Sequence, residues 1–436
     1  MNFAEAEKYL YSLGNEVETM KLGLENIGSL LHALGEPHTK YFKVQVAGTN
    51  GKGSVCAFVD SICLEAGIRT GLYTSPHLVS ITERVRIGGV DIDEAEFARL
   101  ATQVRTVSED LAAQGVLERV PTFFEQVTAI ALLAFAEAGV ELAILETGLG
   151  GRFDATTAAN AEIAVITRID LDHQEYLGDT IEQIAAEKAA IIRADSDVVI
   201  GRQPERALKV IREQCTRVGA AVSSDLYDPW TVVANEDGTV RIDTMRLIYP
   251  SVTLGLKGRH QIENAETALN VIQELKYDSP FDLSFDIEET GAFAAGLTNA
   301  RHPGRLEWIG RFLLDGAHNI SGARALREYL DEFVTGPLTL VFGAMRDKPV
   351  REMLALLAPK AESIILTKPD NSRAFEPQTM VDLLPGTVEL ETVTLSDTVK
   401  AALEIAAGRS EGGIILVTGS LYLVGKVRQL LKRNEM

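Results

Sequence analysis

The chain has 436 residues, 46% hydrophobic and 24% charged, which excludes disordered and fibrous classes and implies two or three domains. Lysine plus arginine is 42 and aspartate plus glutamate is 62, a net charge of −20 that argues against nucleic-acid backbones and anionic membranes while leaving room for a nucleotide. Three cysteines, Cys56, Cys63 and Cys215, are too few for a disulfide framework, so a reducing, cytoplasmic setting is expected.

Residues 1–13 have neither a basic start nor a long apolar run, so no signal peptide is expected. The first βα unit sets 43–47 as a strand, then a glycine-rich turn. A helix follows whose Val55, Val59, Ile62 and Ala66 share one face before Gly67 ends it. The turn carries Gly48, Thr49, Asn50, Gly51, Lys52, Gly53 and Ser54. Its glycines let backbone N–H groups curl onto an anion, and the helix adds the positive end of its dipole. Lys52 would neutralise phosphate charge, with Thr49 or Ser54 offering a hydroxyl. The general phosphate-loop pattern wants glycine at 46 and serine or threonine at 53. Here those positions hold Val46 and Gly53, so the generic motif fails, yet a phosphate cradle is expected over an ordinary turn.

The longest apolar stretch, 127–136, is too short to span a bilayer. Residues 142–145 read as a buried parallel strand. Glu146 follows directly, where an acid points into the ligand crevice and suits magnesium. Residues 163–167 lead in the same way into Asp170, Asp172 and His173, a histidine that is either structural or a ligand. The next helix begins at Thr180, with Gln183 completing a capping box and a stripe of Ile181, Ile184, Ala185, Ile191 and Ile192. Lys188 falls on that stripe. It either snorkels to the surface or stays buried with a lowered pKa, and a neutral amine can take up carbon dioxide as a carbamate.

A further strand is expected at 198–200. Residues 223–253 have short alternating runs and an Asp237-Gly238 turn, and predict a β-hairpin without a helix. After Arg301-His302-Pro303-Gly304 a second series begins, with strands at 312–314, 338–342, 363–366 and 413–417. The fold class is therefore α/β. A P-loop-type, mostly parallel N-terminal domain is expected at 1–299 and a smaller Rossmann-like α/β C-terminal domain at 300–436.

Ten motifs run in order through nearly the whole chain: AGTNGKGS (47–54), GLYTSPHL (71–78), TERVRIGG (82–89), TFFE (122–125), LETGLGGRFDATT (145–157), LDH with LG (171–173 and 177–178), EKA (187–189), RHPGRLE (301–307), DGAHN (315–319) and DKP (347–349). Together they resemble the folylpolyglutamate synthase/dihydrofolate synthase branch of the Mur ligase superfamily. The resemblance implies a ligase in which ATP phosphorylates a dihydropteroate or reduced-folate carboxylate and the nitrogen of L-glutamate displaces phosphate. It implies ATP contacts at 48–54, Asn264, Arg301 and Asp315. It places magnesium ligands at Ser75, Glu146 and His173, with Lys188 as a carbamylated lysine near a second ion. His318 would lie beside the triphosphate or the incoming glutamate. The pterin would meet Thr122, Phe123, Phe124, Glu125, Gly151, Arg152 and Phe153. Catalytic weight falls on Lys52, Lys188 and His318. One departure is Ala190, where the family has glycine. Two other readings stand beside this one: a Mur-type ligase for a different carboxylate, and a nucleotide-binding regulatory module that would tolerate K188A. A monomer is expected.

Overall fold

Aliphatic runs without polar interruption become strands covered on both faces. In the computed structural model the first is Phe42–Ala47 (β1). Then come Thr70–Tyr73 (β2), Val85–Ile87 (β3), Val90–Asp91 (β4), Leu142–Glu146 (β5), Ile163–Ile166 (β6), Asp197–Ile200 (β7) and Ala221–Val222 (β8). The structure describes residues 1–14, 23–226, 229–244, 248–278, 291–409 and 412–433. It divides into two units, Met1–Gly255 with Ile262–Arg301, and Leu256–Gln261 with His302–Met436.

In the first unit β1–β8 form one sheet in the order β4-β3-β2-β5-β1-β6-β7-β8. From β2 to β8 along that order the strands are parallel, and β3 and β4 join antiparallel at one edge. Val46 of β1 pairs with Glu146 on one side and Val165 on the other. The chain leaves β1 towards β2 and later crosses to β6 on its other side. The carboxyl end of β1 is therefore the switch point where open α/β sheets bind ligands.

The Lys52–Glu65 helix packs on β1, β2 and β5. On the opposite face, Phe3–Ser12, Glu25–Ala33, Glu94–Ala113 and Phe123–Ala138 share a core with Ala143 and Leu145 of β5. Each fully buried aliphatic side chain there stabilises by roughly 1.5–3 kcal/mol. A second cluster joins Ile184 and Ile211, from the Ile181–Ala189 and Glu205–Val218 helices, to Ala164, Ile166 and Val198.

The expectation of a helix-free hairpin over 223–253 needs correction. The segment opens with a short helix, Ser223–Leu226. It then forms a three-stranded antiparallel sheet of Thr231–Ala234 (β9), Val240–Asp243 (β10) and Ile248–Val252 (β11), with residues 227–228 and 245–247 outside the described residues. The Asp237-Gly238 turn is present, with Gly238 at φ 83° and Thr239 N–H on Asp237 Oδ1. A third strand was invisible because Pro250 and exposed Ile248 break the alternation that marks a half-buried strand.

The second unit holds Glu307–Ile309 (β12), Phe312–Leu314 (β13), Leu338–Phe342 (β14), Ser363–Thr367 (β15), Val393–Ser396 (β16) and Ile414–Thr418 (β17). Their order is β12-β13-β17-β14-β15-β16, parallel except for β12. Leu256–Gln261 belongs here, and Arg259 ties it down through a two-pronged pair with Glu332 at 2.6 and 2.8 Å. The α/β class, with a large parallel-rich sheet and a second mixed sheet, is as expected from the sequence. Among the described residues no helix is long and apolar enough to cross a membrane.

Candidate active site

The turn after β1 is held from below by β6. Thr49 and Asn50 N–H groups donate to Arg168 O at 3.0 and 3.2 Å, and the Thr167 hydroxyl donates to Asn50 O at 2.8 Å. Thr49 Oγ1 donates to Asp170 O and accepts from Asp170 N. Gly48 sits at φ 156°, and a Cβ there would collide with the Thr167 hydroxyl, so only glycine lets loop and strand end meet. Asn264 packs against Gly51 in the same way. The Lys52–Glu65 helix starts at Gly51 with no side-chain cap, leaving its first N–H groups to an anion.

Two lysines converge on one oxygen. Lys52 Nζ lies 3.1 Å and Lys188 Nζ 2.8 Å from Gly48 O. Lys188 is 4% exposed, so it does not snorkel. Burial pulls its pKa down to about 7, and Lys52 pushes the same way; Asp172 and Asp154 hold it up. The helix beneath it starts as expected, with Thr180 and Gln183 closing the capping box, but it ends at Ala189, so Ile191 and Ile192 lie past it while still buried in the same cluster. Ala190 caps it at φ −66°, a conformation any residue adopts, so its departure from glycine costs no backbone strain.

At the end of β5, Glu146 is buried and accepts the Ser75 N–H at 3.1 Å. Among the described residues, the buried Ser75 hydroxyl has no hydrogen-bond partner. An orphan hydroxyl beside a buried carboxylate fits a hard divalent cation, which takes one or two carboxylates, hydroxyls and water. His173 sits at φ 50°, with Nε2 3.9 Å from Asp172 Oδ1. Asp172 also faces Lys188, so the β6 end and the lysine helix share one charged neighbourhood.

The expected substrate segments are placed unequally. Thr122 and Glu125 close the capping box of the Phe123–Ala138 helix. Phe123 is buried, with Tyr11 stacked at 5.6 Å and the Arg84 guanidinium 5.3 Å from its ring centre. Phe124 is half-buried, beside Gly148 and Tyr73. Gly151 is buried against the lysine helix, Arg152 turns onto Glu187, and Phe153 is exposed.

Arg301 ends the first unit, its guanidinium on Thr298 O and Ala300 O. In the second unit, Asp315 accepts N–H from Leu306 and Ala317 at 3.0 and 2.9 Å, and burial pushes its carboxyl upward. His318 Nδ1 donates to Gly316 O. Sequence reasoning missed Thr167, Glu187 and Gln45 as supports. Gln45, buried in β1, donates to Thr156 Oγ1 and Thr157 Oγ1 at 2.9 and 2.8 Å and so pins the loop after β5. A glutamine interrupting an aliphatic strand was the available signal.

The Mur ligase middle-domain model matches residues 46–272, and the model named Mur ligase, glutamate ligase domain, matches 304–421. The chain is 35% identical to the dihydrofolate synthase/folylpolyglutamate synthase of Bacillus subtilis, covering 95% of this chain and 96% of that protein. It is 37% identical to a Haloferax volcanii protein named "Probable bifunctional folylpolyglutamate synthase/dihydropteroate synthase", over 98% of this chain and 50% of that one; it thus spans half of that relative's length. Among solved structures, the bifunctional folylpolyglutamate synthase/dihydrofolate synthase of Yersinia pestis, complexed with AMPPNP and Mn ion, is similar at a TM-score of 0.83 and 28% identity, over 99% of this chain and 98% of that one.

Proposed function

The chain belongs to the folylpolyglutamate synthase/dihydrofolate synthase family of Mur ligases, and from that membership we propose an ATP-dependent ligase joining L-glutamate to the carboxylate of dihydropteroate or a reduced folate. The observation that carries the reading is the buried Lys188 amine, held on Gly48 O between the phosphate loop and the Gly151 loop.

A carboxylate is a poor electrophile. In the proposed reaction its oxygen bonds to the γ-phosphorus of ATP as the bond to ADP breaks. The neutral amine of glutamate then bonds to the acyl carbon and gives up one proton to solvent, and the carbon–oxygen bond breaks with its electrons leaving on phosphate. Residues 48–54 and Lys52 hold and neutralise the phosphates, and Asn264 keeps Gly51 in place. Ser75, Glu146, His173 and the Lys188 carbamate would hold two divalent cations, which would shield phosphate charge when bound. The carbamate forms when neutral Nζ bonds to the carbon of carbon dioxide and releases one proton. Residues 122–125 and 151–153 would wall the pterin, and Arg301, Asp315 and His318 would serve ATP and glutamate. In this reading 1–299 binds ATP and folate and 300–436 is the glutamate-ligase domain. In this reading the protein is a cytoplasmic monomer, and its three free, buried cysteines suit a reducing compartment.

The test combines protein, ATP, magnesium and L-glutamate with dihydropteroate or tetrahydrofolate. Glutamate-dependent phosphate release, with the acceptor heavier by one glutamyl residue, is expected. No release with either acceptor rejects the reading, and turnover of a non-folate carboxylate alone would support another Mur-type specificity.

A further inference from the structure

We propose that Arg152 and Glu187 form a positioning couple that fastens the loop after β5 to the helix carrying Lys188, so that acceptor loop and phosphate loop keep one register. The proposal rests on the functional reading above for the roles of the two loops. Glu187 is not assigned to touch substrate; Arg152 belongs to the segment expected to wall the pterin, but its guanidinium is turned onto Glu187, and the role argued here runs through Lys188 and Gly151.

Three hydrogen bonds from Arg152 land on the two residues before Lys188. The backbone N–H donates to Glu187 O at 3.1 Å, Nε to Glu187 Oε1 at 2.9 Å and Nη2 to Ala186 O at 3.3 Å. A guanidinium at the carbonyl end of a helix also opposes the helix dipole favourably. The contact is backbone on backbone at Gly151, where a Cβ would stand 2.7 Å from Glu187 O and 2.8 Å from Lys188 O. The far side of the loop is pinned as well. Thr157 Oγ1 donates to Gly151 O at 2.8 Å, and the Asp154 carboxylate accepts from Gly148 N and Leu149 N at 2.9 and 3.0 Å. From Lys188 the chain of contacts continues to Gly48 O at 2.8 Å. Every link between Gly148 and Gly48 is thus a short hydrogen bond or a direct backbone contact.

The side chains of Arg152 and Glu187 are 39% and 30% exposed. An ion pair that open to water adds little to global stability. Its effect is therefore local, on where the loop and Lys188 stand relative to each other. Arginine is needed because its planar fork serves a carboxylate and a carbonyl at once, which a lysine ammonium cannot reproduce.

The experiment uses the full chain as wild type, R152A, R152K, E187Q, R152A/E187Q and G151A. Steady-state kinetics are measured with ATP, magnesium, glutamate and the acceptor the wild type uses, alongside ADP binding by calorimetry and thermal melting. R152A is expected to lower kcat by about 10–100-fold and raise the acceptor KM, with ADP affinity unchanged within about twofold. R152K should recover only a small part of the loss. The double variant should be no worse than R152A, because both changes break one pair. G151A, which wedges the same contact apart from the other side, should share the kinetic signature. Wild-type kcat and acceptor KM in R152A and R152K would overturn the proposal. So would additive losses in the double variant, or activity losses that merely follow a fall in melting temperature. Amide exchange keeps the idea separable from the assigned reaction: E187Q and R152K should speed exchange at both 148–154 and 181–190 even if no folate acceptor is turned over. Unchanged exchange in both segments would refute the couple on its own.

Discussion

The two sheets end differently at their carboxyl edges. In the first unit the strand ends gather charge and are tied down. Lys52 and Lys188 share Gly48 O, Glu146 holds Ser75 N–H, and Thr167 holds Asn50 O. In the second unit, β15 and β17 end in Thr367 and Thr418, whose buried hydroxyls have no hydrogen-bond partner among the described residues. Asp315 accepts one backbone N–H on each carboxylate oxygen. Both sheets are mostly parallel, so the architecture does not decide which one can hold a polyphosphate. The loops do, through glycine positions and paired charges.

Removing Lys188 breaks this contrast most severely. K188A is expected to lower kcat by about 100–1000-fold, with partial rescue by acetate or formate standing in for the carbamate. Wild-type turnover would take Lys188 out of the machinery. Next in size is E146Q, which should raise the magnesium concentration for half-maximal activity by about tenfold. An unchanged magnesium titration would separate Glu146 from any cation.

The pH profile sharpens the comparison further. Lys188 is pulled down to about 7, so its amine is neutral above that pH and protonated below it. Carbamate formation needs the neutral form, so kcat should fall as pH drops below about 7, and added bicarbonate should move the midpoint lower. A profile indifferent to bicarbonate would argue for a plain amine. The smallest effect compares like with like. T167V removes a hydroxyl that bonds Asn50 O and should cost about 1 kcal/mol, whereas T418V removes an orphan and should leave stability equal or higher by up to about 1 kcal/mol. Denaturant midpoints that move alike for both would erase the distinction.

Much of this was legible along the chain. The glycine-rich turn after β1, the acid at the end of β5 and the capping box at Thr180 are patterns of neighbours a few residues apart. The supports were not legible. Arg152 meets Glu187 across 35 positions and Thr167 meets Asn50 across 117, and nothing local marks either partner. Phe123 illustrates the same limit: the TFFE segment does not say which ring is covered, and Tyr11 and Arg84 lie on Phe123 while Phe124 stays half open.

By itself the amino-acid order determined the strand–turn–helix units, the α/β class and the residue types available at each strand end, because hydrophobic period and glycine content act over a few bonds. Only the folded arrangement decided that Lys188 is buried, faces Lys52 and Asp172, and touches Gly48. A pKa is set by water exclusion and by charges within a few ångströms, and those neighbours are brought from distant parts of the chain.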